Sequence, residues 1–380
     1  MKRHYNIIIA GAGGIAEAAG LILAEWSTVT PTIYIGNRTL SKAQNVAQWI
    51  MKGTTKPCKV IAFHLDPLHI TDDVKTIFKN GDALLDCLPG SLAPTMAEYA
   101  KNNKLYYANL TEYVAETNQI IEMSKNAKIG FVLQTGLAPG YIDVLAHFMY
   151  QEFCKQYKVD QVNTLEFKVG ALTNHAVAPH FYGFTWSPVG VATEYLKDCI
   201  VIRDFKKTSR PALSERSVII INGITYEEDL TSGGAADLPD ALSGKVQHMD
   251  YKTLRHRGHY SWVDKQLKGL KNTKDPISSL QKIMQDEIPH IEDDQIIIYA
   301  AVEGKDSKGG LRRWEIAKHI RPQQVGKHTL RAIQTTTAAP LVQAVLWLLE
   351  TKPQGVILQS QLDAKTFLNG EFIVPVYGMI

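Results

Sequence analysis

A chain of 380 residues, 45% apolar and 21% charged, has the make-up of a soluble globular protein. It is long enough for two domains, because single cores seldom grow beyond about 250–300 residues. A formal charge of +3 without a basic stripe or tail argues against nucleic acid as a partner. No stretch approaches the roughly 20 apolar residues of a membrane span, so no membrane partner and a cytoplasmic location are expected.

The first predicted element is a strand from Tyr5 to Ala10, too short and wrongly flanked for a signal peptide. It runs into Gly11-Ala12-Gly13-Gly14-Ile15-Ala16 and then into small residues and helix formers. Gly-x-Gly-x-x-Ala between a strand and a helix is the layout of a dinucleotide site. A pyrophosphate must approach backbone N–H groups at a helix N-terminus, and a Cβ at Gly11 or Gly13 would hold it off. The second strand, Thr32 to Ile35, leads to Asn37-Arg38-Thr39, where a site preferring NAD places an acid for the ribose hydroxyls. Arg38 can meet a 2′-phosphate with a planar fork while Asn37 and Thr39 add neutral donors, so NADP is expected, with NAD as the alternative. Thr39 also suits the cap of the next helix with Arg38 solvated, and the two readings are compatible.

Further strands at Lys59 to His64, Ala83 to Cys87, Leu105 to Ala108 and Gly130 to Leu133 alternate with helical stretches. Together they predict a parallel Rossmann sheet over residues 1–135. Ligands in such folds lie beyond the carboxyl ends of the strands, which puts Leu88-Pro89-Gly90 and Thr111 beside the nicotinamide half of the cofactor; Pro-Gly is equally a common turn. Over residues 136–335 the pattern changes to longer, antiparallel-looking strands, Asn163 to Val169, Ser217 to Asn222, Gly244 to Asp250 and Gln295 to Gly304. These predict an α+β domain for substrate binding and homodimer formation. Lys265 to Lys274 reads as a solvated loop or helix end. The apolar helix Pro340 to Glu350 is expected to be buried and to return to the first domain, which residues 336–380 complete. The expected class is therefore α/β, a Rossmann domain joined to an α+β domain.

The cysteines, Cys58, Cys87, Cys154 and Cys199, form no Cys-x-x-Cys pair and read as reduced thiols. Neither His175 with His180 nor His256 with His259 belongs to a recognised ligand pattern, so no metal is expected. Three patches of the second domain could carry chemistry. Phe184-Thr185-Trp186-Ser187-Pro188-Val189-Gly190 precedes a helix-like Val191 to Leu196. Leu230-Thr231-Ser232-Gly233-Gly234 is a hydroxyl-bearing glycine turn. Tyr251-Lys252-Thr253-Leu254-Arg255-His256-Arg257-Gly258-His259-Tyr260 crowds cations, imidazoles and phenols together. That third patch suits either an anionic substrate or a charged exposed surface.

These motifs, with Leu137-Ala138-Pro139-Gly140 and Thr335-Thr336-Thr337-Ala338-Ala339-Pro340, stand in the order in which they occur in saccharopine dehydrogenases of the glutamate-forming type. The chain resembles that family over almost its whole length, and the lysine 6-dehydrogenases share much of the pattern. Tyr251-Lys252-Thr253-Leu254-Arg255 is the most specific element. One departure is His256-Arg257, where the family has Tyr-Pro, which adds positive charge beside the expected pocket.

The resemblance implies oxidation of a secondary or primary amine on an amino acid, or the reverse. A base takes the ammonium proton, hydride leaves the adjacent carbon, and water hydrolyses the imine. Only a neutral amine can expel hydride, so a base is needed. His259 is the first candidate because an unperturbed imidazole titrates in the working range. Lys252 could serve if burial lowered its pKa, and Tyr251 and Glu112 are weaker candidates. Arg255 offers a bidentate fork for a substrate carboxylate. Thr231 with the Gly233 amide could bind a second carboxylate. Trp186 could shield the nicotinamide, with plain core packing as the rival role for the indole, and Ser187 beside it is a candidate substrate-binding residue. A carboxynorspermidine-type imine reductase and a nucleotide-binding regulator without turnover are the other classes kept open.

Overall fold

The computed structural model describes residues 4–270 and 272–380, so position 271, inside the predicted Lys265–Lys274 segment, lies outside the described residues. The chain divides into two compact units, one of residues 1–141, 323–330 and 334–380, the other of residues 142–322 and 331–333.

In the first unit, strands β1 (Asn6–Ala10), β2 (Thr32–Asn37), β3 (Lys59–His64), β4 (Ala83–Asp86), β5 (Tyr106–Asn109) and β6 (Gly130–Val132) alternate with helices α1 (Gly14–Trp26), α2 (Leu40–Gly53), α3 (Asp72–Asn80), α4 (Ala93–Asn103) and α5 (Val114–Ser124). Ile7, Ile8 and Ile9 of β1 are all buried, as a strand covered on both faces requires. Gly20 lets α1 lie close to α2, because a Cβ there would overlap the Ile50 side chain.

In the second unit, α6 (Tyr141–Tyr157) leads to β7 (Val162–Thr173), α7 (Pro188–Glu194), β8 (Cys199–Arg203), β9 (Lys206–Arg210), β10 (Ser217–Ile221) and β11 (Ile224–Leu230). α8 (Leu238–Leu242), β12 (Val246–His256), α9 (His259–Gly269), α10 (Pro276–Glu287), β13 (Asp294–Lys305) and β14 (Leu311–Ile320) follow. The main sheet runs β10-β11-β12-β7-β13-β14, with the β8–β9 hairpin attached to β12. Its sequence expectation needs one correction: β7 and β12 pair in parallel, so the sheet is mixed. The long connection from Thr173 to Val246 is what permits a parallel neighbour, since a tight hairpin could not.

The remaining elements are β15 (Gln323–Val325), β16 (His328–Leu330), α11 (Ala332–Thr351), β17 (Gly355–Ile357), α12 (Ala364–Leu368) and α13 (Val374–Tyr377). β17 extends the first sheet to the order β17-β6-β5-β4-β1-β2-β3, all in parallel. Strand order reverses at β1, between β4 and β2, and a crevice beyond the carboxyl ends there is the ligand position of an open α/β sheet. α11 starts before Pro340 and carries that proline inside it, whereas the sequence reading began the helix there. By length and composition α11 could cross a membrane, which corrects the reading that no stretch comes near; most of it is buried inside the fold, as in a core helix. The expected α/β class, with C-terminal helices returning to the Rossmann unit, is the class observed.

Candidate active site

The glycine turn of the first unit divides into a structural and a ligand-facing half. Gly11 has φ +121° and donates its N–H to the Gly36 carbonyl at 2.8 Å. A Cβ there would stand 2.8 Å from the Cys87 carbonyl oxygen, so the backbone itself demands glycine. Gly13 is different: exposed, at the N-cap of α1, with no side-chain cap and nothing within 4 Å of an added Cβ. Its missing carbon leaves room over the first helical turn, which fits a pyrophosphate. Gly14 and Ile15 open that turn, half-buried, while Ala16 is fully buried against the sheet. Gln334 donates to the Gly14 carbonyl at 3.0 Å, a support that no motif announced.

At the end of β2, Asn37 Oδ1 accepts the Thr39 N–H at 2.8 Å. Thr39 occupies the N-cap of α2, but its hydroxyl makes no cap bond. Arg38 is exposed, and no acid ends the strand. The two other loops meet: a Cβ on Gly90 would overlap the Thr111 hydroxyl and approach the Tyr113 ring at 2.9 Å. Buried Asp86 fixes the chain before Leu88-Pro89-Gly90, accepting the Leu88 N–H at 3.0 Å and the Tyr107 hydroxyl at 2.8 Å. Burial raises its pKa to about 6. The open helix N-terminus at Gly13, the strand end at Asn37, Arg38 and Thr39 without an acid, and the paired loops at Leu88-Pro89-Gly90 and Thr111 are residues that could hold a nicotinamide dinucleotide.

In the second unit the pleat of β12 splits the cationic patch, because alternate side chains of a strand face opposite ways. Tyr251, Thr253 and Arg255 share one face. Lys252 takes the other, where its Nζ donates to the Glu215 carbonyl at 2.7 Å and to Ser217 Oγ at 3.1 Å. There it lies 3.6 Å from Glu228, the carboxylate that Lys168 also holds at 2.7 Å. Sequence proximity had pooled two separate sites.

Arg255 is 1% exposed, and most of the patch is buried with it, Arg257 being its exposed residue. The Arg255 Nε donates to the Tyr195 hydroxyl at 2.7 Å and its Nη1 to the Leu254 carbonyl at 3.0 Å. Nη2 stands 3.9 Å from Glu194 Oε2, and the guanidinium lies 4.9 Å from the centre of the Tyr182 ring. Burial opposes this charge, but Tyr195, Tyr182, Tyr260 and Glu194 outweigh it and hold the pKa above its ordinary value.

His259 is fully buried at the start of α9. Its Nδ1 lies 2.7 Å from the His180 carbonyl oxygen and its Nε2 3.0 Å from the Tyr195 hydroxyl. Burial first, and then the Arg255 charge, push its pKa well below the ordinary value. The expectation of an imidazole titrating near neutrality is thereby corrected.

The other expected residues surround this cluster. Burial and Glu194 raise the Tyr251 pKa, and the Tyr251 ring lies flat on Gly234, where a Cβ would overlap it. Thr231 Oγ1 is 2.6 Å from Thr253 Oγ1, and Gly233 makes the turn at φ +89°. Ser187 caps α7, accepting the Gly190 N–H at 3.4 Å, and the half-buried Trp186 indole packs on Gly190 and an aromatic core. Glu112 follows β5 in the first unit, beside Tyr113, whose pKa is raised by burial and then by Glu112. Among the described residues no three His, Cys, Asp or Glu side chains converge as a metal site. Sequence reasoning missed Glu194, Tyr195 and Tyr182. The only signal was a Glu-Tyr pair closing an otherwise apolar short helix.

Comparison with known proteins accounts for both units. The family profile of the saccharopine dehydrogenase NADP binding domain matches residues 7–132, and that of the saccharopine dehydrogenase C-terminal domain matches residues 136–373. Among solved structures, apo saccharopine dehydrogenase (L-Glu forming) from Saccharomyces cerevisiae is similar at TM-score 0.75 and 15% identity, over 98% of each chain. The homospermidine synthase of Legionella pneumophila in complex with NAD is similar at TM-score 0.67 and 12% identity, over 99% of this chain and 91% of that one. At such identities these two likenesses speak to the fold.

Proposed function

Since the chain belongs to the saccharopine dehydrogenase family, whose members are nicotinamide-dependent oxidoreductases, we propose that it oxidises the amine of an amino acid at a C–N bond, or runs the reverse reductive amination. The observation that carries this reading is the buried Arg255 guanidinium. With Nε and Nη1 engaged by Tyr195 and Leu254, Nη2 is the nitrogen left to meet a carboxylate. Glu194, 3.9 Å from Nη2, is the matching partner for an ammonium, so the pair reads both charges of a zwitterion.

NADP is the proposed cofactor, with NAD as the alternative, on the strength of Arg38 and the missing acid after β2. A nicotinamide held there would supply the hydride acceptor for the carbon next to nitrogen. Water then adds to the C=N carbon, and the C–N bond breaks to give a carbonyl and a free amine. Thr231 and Gly233 are proposed for a second carboxylate. Ser187, through its cap, and Trp186 hold the wall above α7, and Tyr251 and Lys252 order β12 from its two faces.

A homodimer through the second unit's sheet is supported by Val218 and Ile220, exposed on the edge strand β10. The four free cysteines suit the reducing cytoplasm. The test is direct: incubate the protein with NADP⁺ or NAD⁺ and saccharopine, lysine, other amino acids or polyamine conjugates, and follow nicotinamide reduction. Turnover with an amino-acid amine supports the proposal. Turnover only with polyamine conjugates moves it to an imine reductase of that class, and NADPH binding without turnover on any amine overturns it in favour of a regulator.

A further inference from the structure

We propose that His259 and Tyr195 form a one-way hydrogen-bond relay that fixes the orientation of Arg255, making both of them positioning residues and neither the general base. This rests on the reading of Arg255 as the carboxylate-binding cation.

The direction follows from which atoms can donate. The His180 carbonyl only accepts, so the His259 Nδ1 facing it at 2.7 Å must carry the proton. In the neutral ring Nε2 is then an acceptor, and the Tyr195 hydroxyl 3.0 Å away must donate to it. Its proton spent, the Tyr195 oxygen is left to accept, and Arg255 Nε donates to it at 2.7 Å. Each donor thus has one acceptor. Adding a proton at Nε2 would reverse the middle link, leave the phenol proton without its acceptor and set a second cation beside Arg255.

The groups facing the imidazole hold the ring neutral. Arg255 and His256 lie on β12, His180 and Tyr182 in the segment before α7, Tyr195 just after it, and Tyr260 and Trp262 on α9. Burial and the Arg255 charge dominate, and both oppose protonation. A buried, neutral imidazole with both nitrogens committed is a brace.

Three variants test this. Tyr195→Phe keeps the ring over the guanidinium and removes only the link. His259→Asn keeps a donor near Nδ1 and loses the Nε2 acceptor, whereas His259→Gln can place an acceptor near Nε2. With saccharopine as varied substrate, Tyr195→Phe and His259→Asn should raise KM about 10-fold with kcat changed far less, and His259→Gln should recover most of the loss. If both His259 variants instead lose kcat about 100-fold or more and the acidic limb of the pH profile disappears, the imidazole is a base and the relay role falls.

Nitrogen NMR of histidine-labelled protein, with the His259 signal identified from His259→Gln, reads the relay without turnover. The expected result is a neutral Nδ1–H ring between pH 6 and 8 whose Nε2 resonance moves in Tyr195→Phe. An Nε2–H ring, or one that titrates in that range, overturns the proposal. The NMR result stands even if saccharopine is not turned over, so failure of the relay and failure of the proposed reaction are told apart.

Discussion

Arg255 Nη2 and Glu194 Oε2 stand 3.9 Å apart, near enough to attract and too far for a hydrogen bond. A zwitterion bridging the two charges would replace a loose contact by charge-assisted bonds at each end. Arg255→Ala is therefore expected to raise the KM for saccharopine by about 30-fold or more, the scale of a truncated buried charge pair. Arg255→Lys should be intermediate, since an ammonium keeps the charge and loses the fork. NADPH affinity, measured by fluorescence titration, should not change in either. A wild-type KM in a folded Arg255→Ala protein would remove the guanidinium from substrate binding.

Arg38 is exposed beside a strand end that lacks an acid, so its charge is available to a phosphate. Arg38→Asp should lower the ratio of kcat/KM for NADP over NAD by about 10- to 100-fold, the worth of hydrogen bonds to a charged group. It also installs the acid that holds ribose hydroxyls. An unchanged ratio would leave Arg38 a solvated cation at the start of a helix.

The first unit was legible because its signals are local. Ile7, Ile8 and Ile9 form a continuous apolar run, and the glycines follow them directly, so strand, turn and helix start can be read from adjacent residues. β17, with Gly355, Val356 and Ile357, is too short to show a period. Strand periodicity could have divided the Tyr251–Tyr260 patch, since Lys252 and Arg255 differ by an odd number of steps along β12. Glu194 and Tyr195 could not be found in this way: they meet Arg255 across 60 residues of chain, and nothing local distinguishes a phenol that braces a guanidinium from one that fills a core. The same holds for His259, whose burial depends on Tyr182, Tyr195 and Trp262.

Gly11 and Gly13 should part company when substituted. Gly11→Ala puts a Cβ on a backbone at φ +121° and 2.8 Å from the Cys87 carbonyl oxygen, so the fold should lose stability, by roughly 1–3 kcal/mol for a strained left-handed residue. Gly13→Asp meets no neighbour within 4 Å of the new Cβ and supplies a favourable N-cap and helix-end charge, so melting should be unchanged or slightly higher. The same carboxylate would occupy and repel the pyrophosphate position, and NADPH affinity should fall at least about 10-fold. A Gly13→Asp protein that binds NADPH normally would place the nucleotide elsewhere.

Asp86 gives the first unit a pH dependence whose sign can be worked out. Burial raises its carboxyl pKa from 3.8 to about 6 in the fold, so the folded state holds its proton where the unfolded chain has lost it. The stability this contributes is complete below pH 3.8 and is lost as pH rises through about 6. Between pH 5 and pH 8 the loss amounts to about 1.4 kcal/mol, one pKa unit of differential protonation. Asp86→Asn is neutral throughout and keeps an oxygen for the Leu88 N–H, while its amide can donate to Tyr107, whose hydroxyl also reaches the Ala93 carbonyl at 3.2 Å. The melting temperature of Asp86→Asn relative to wild type should therefore climb by about 2–5 °C on going from pH 5 to pH 8. Melting curves of the two proteins that shift in parallel over that range would show that the carboxyl is already ionised at pH 5, and with it that Asp86 holds the loop before Gly90 as a charged acceptor.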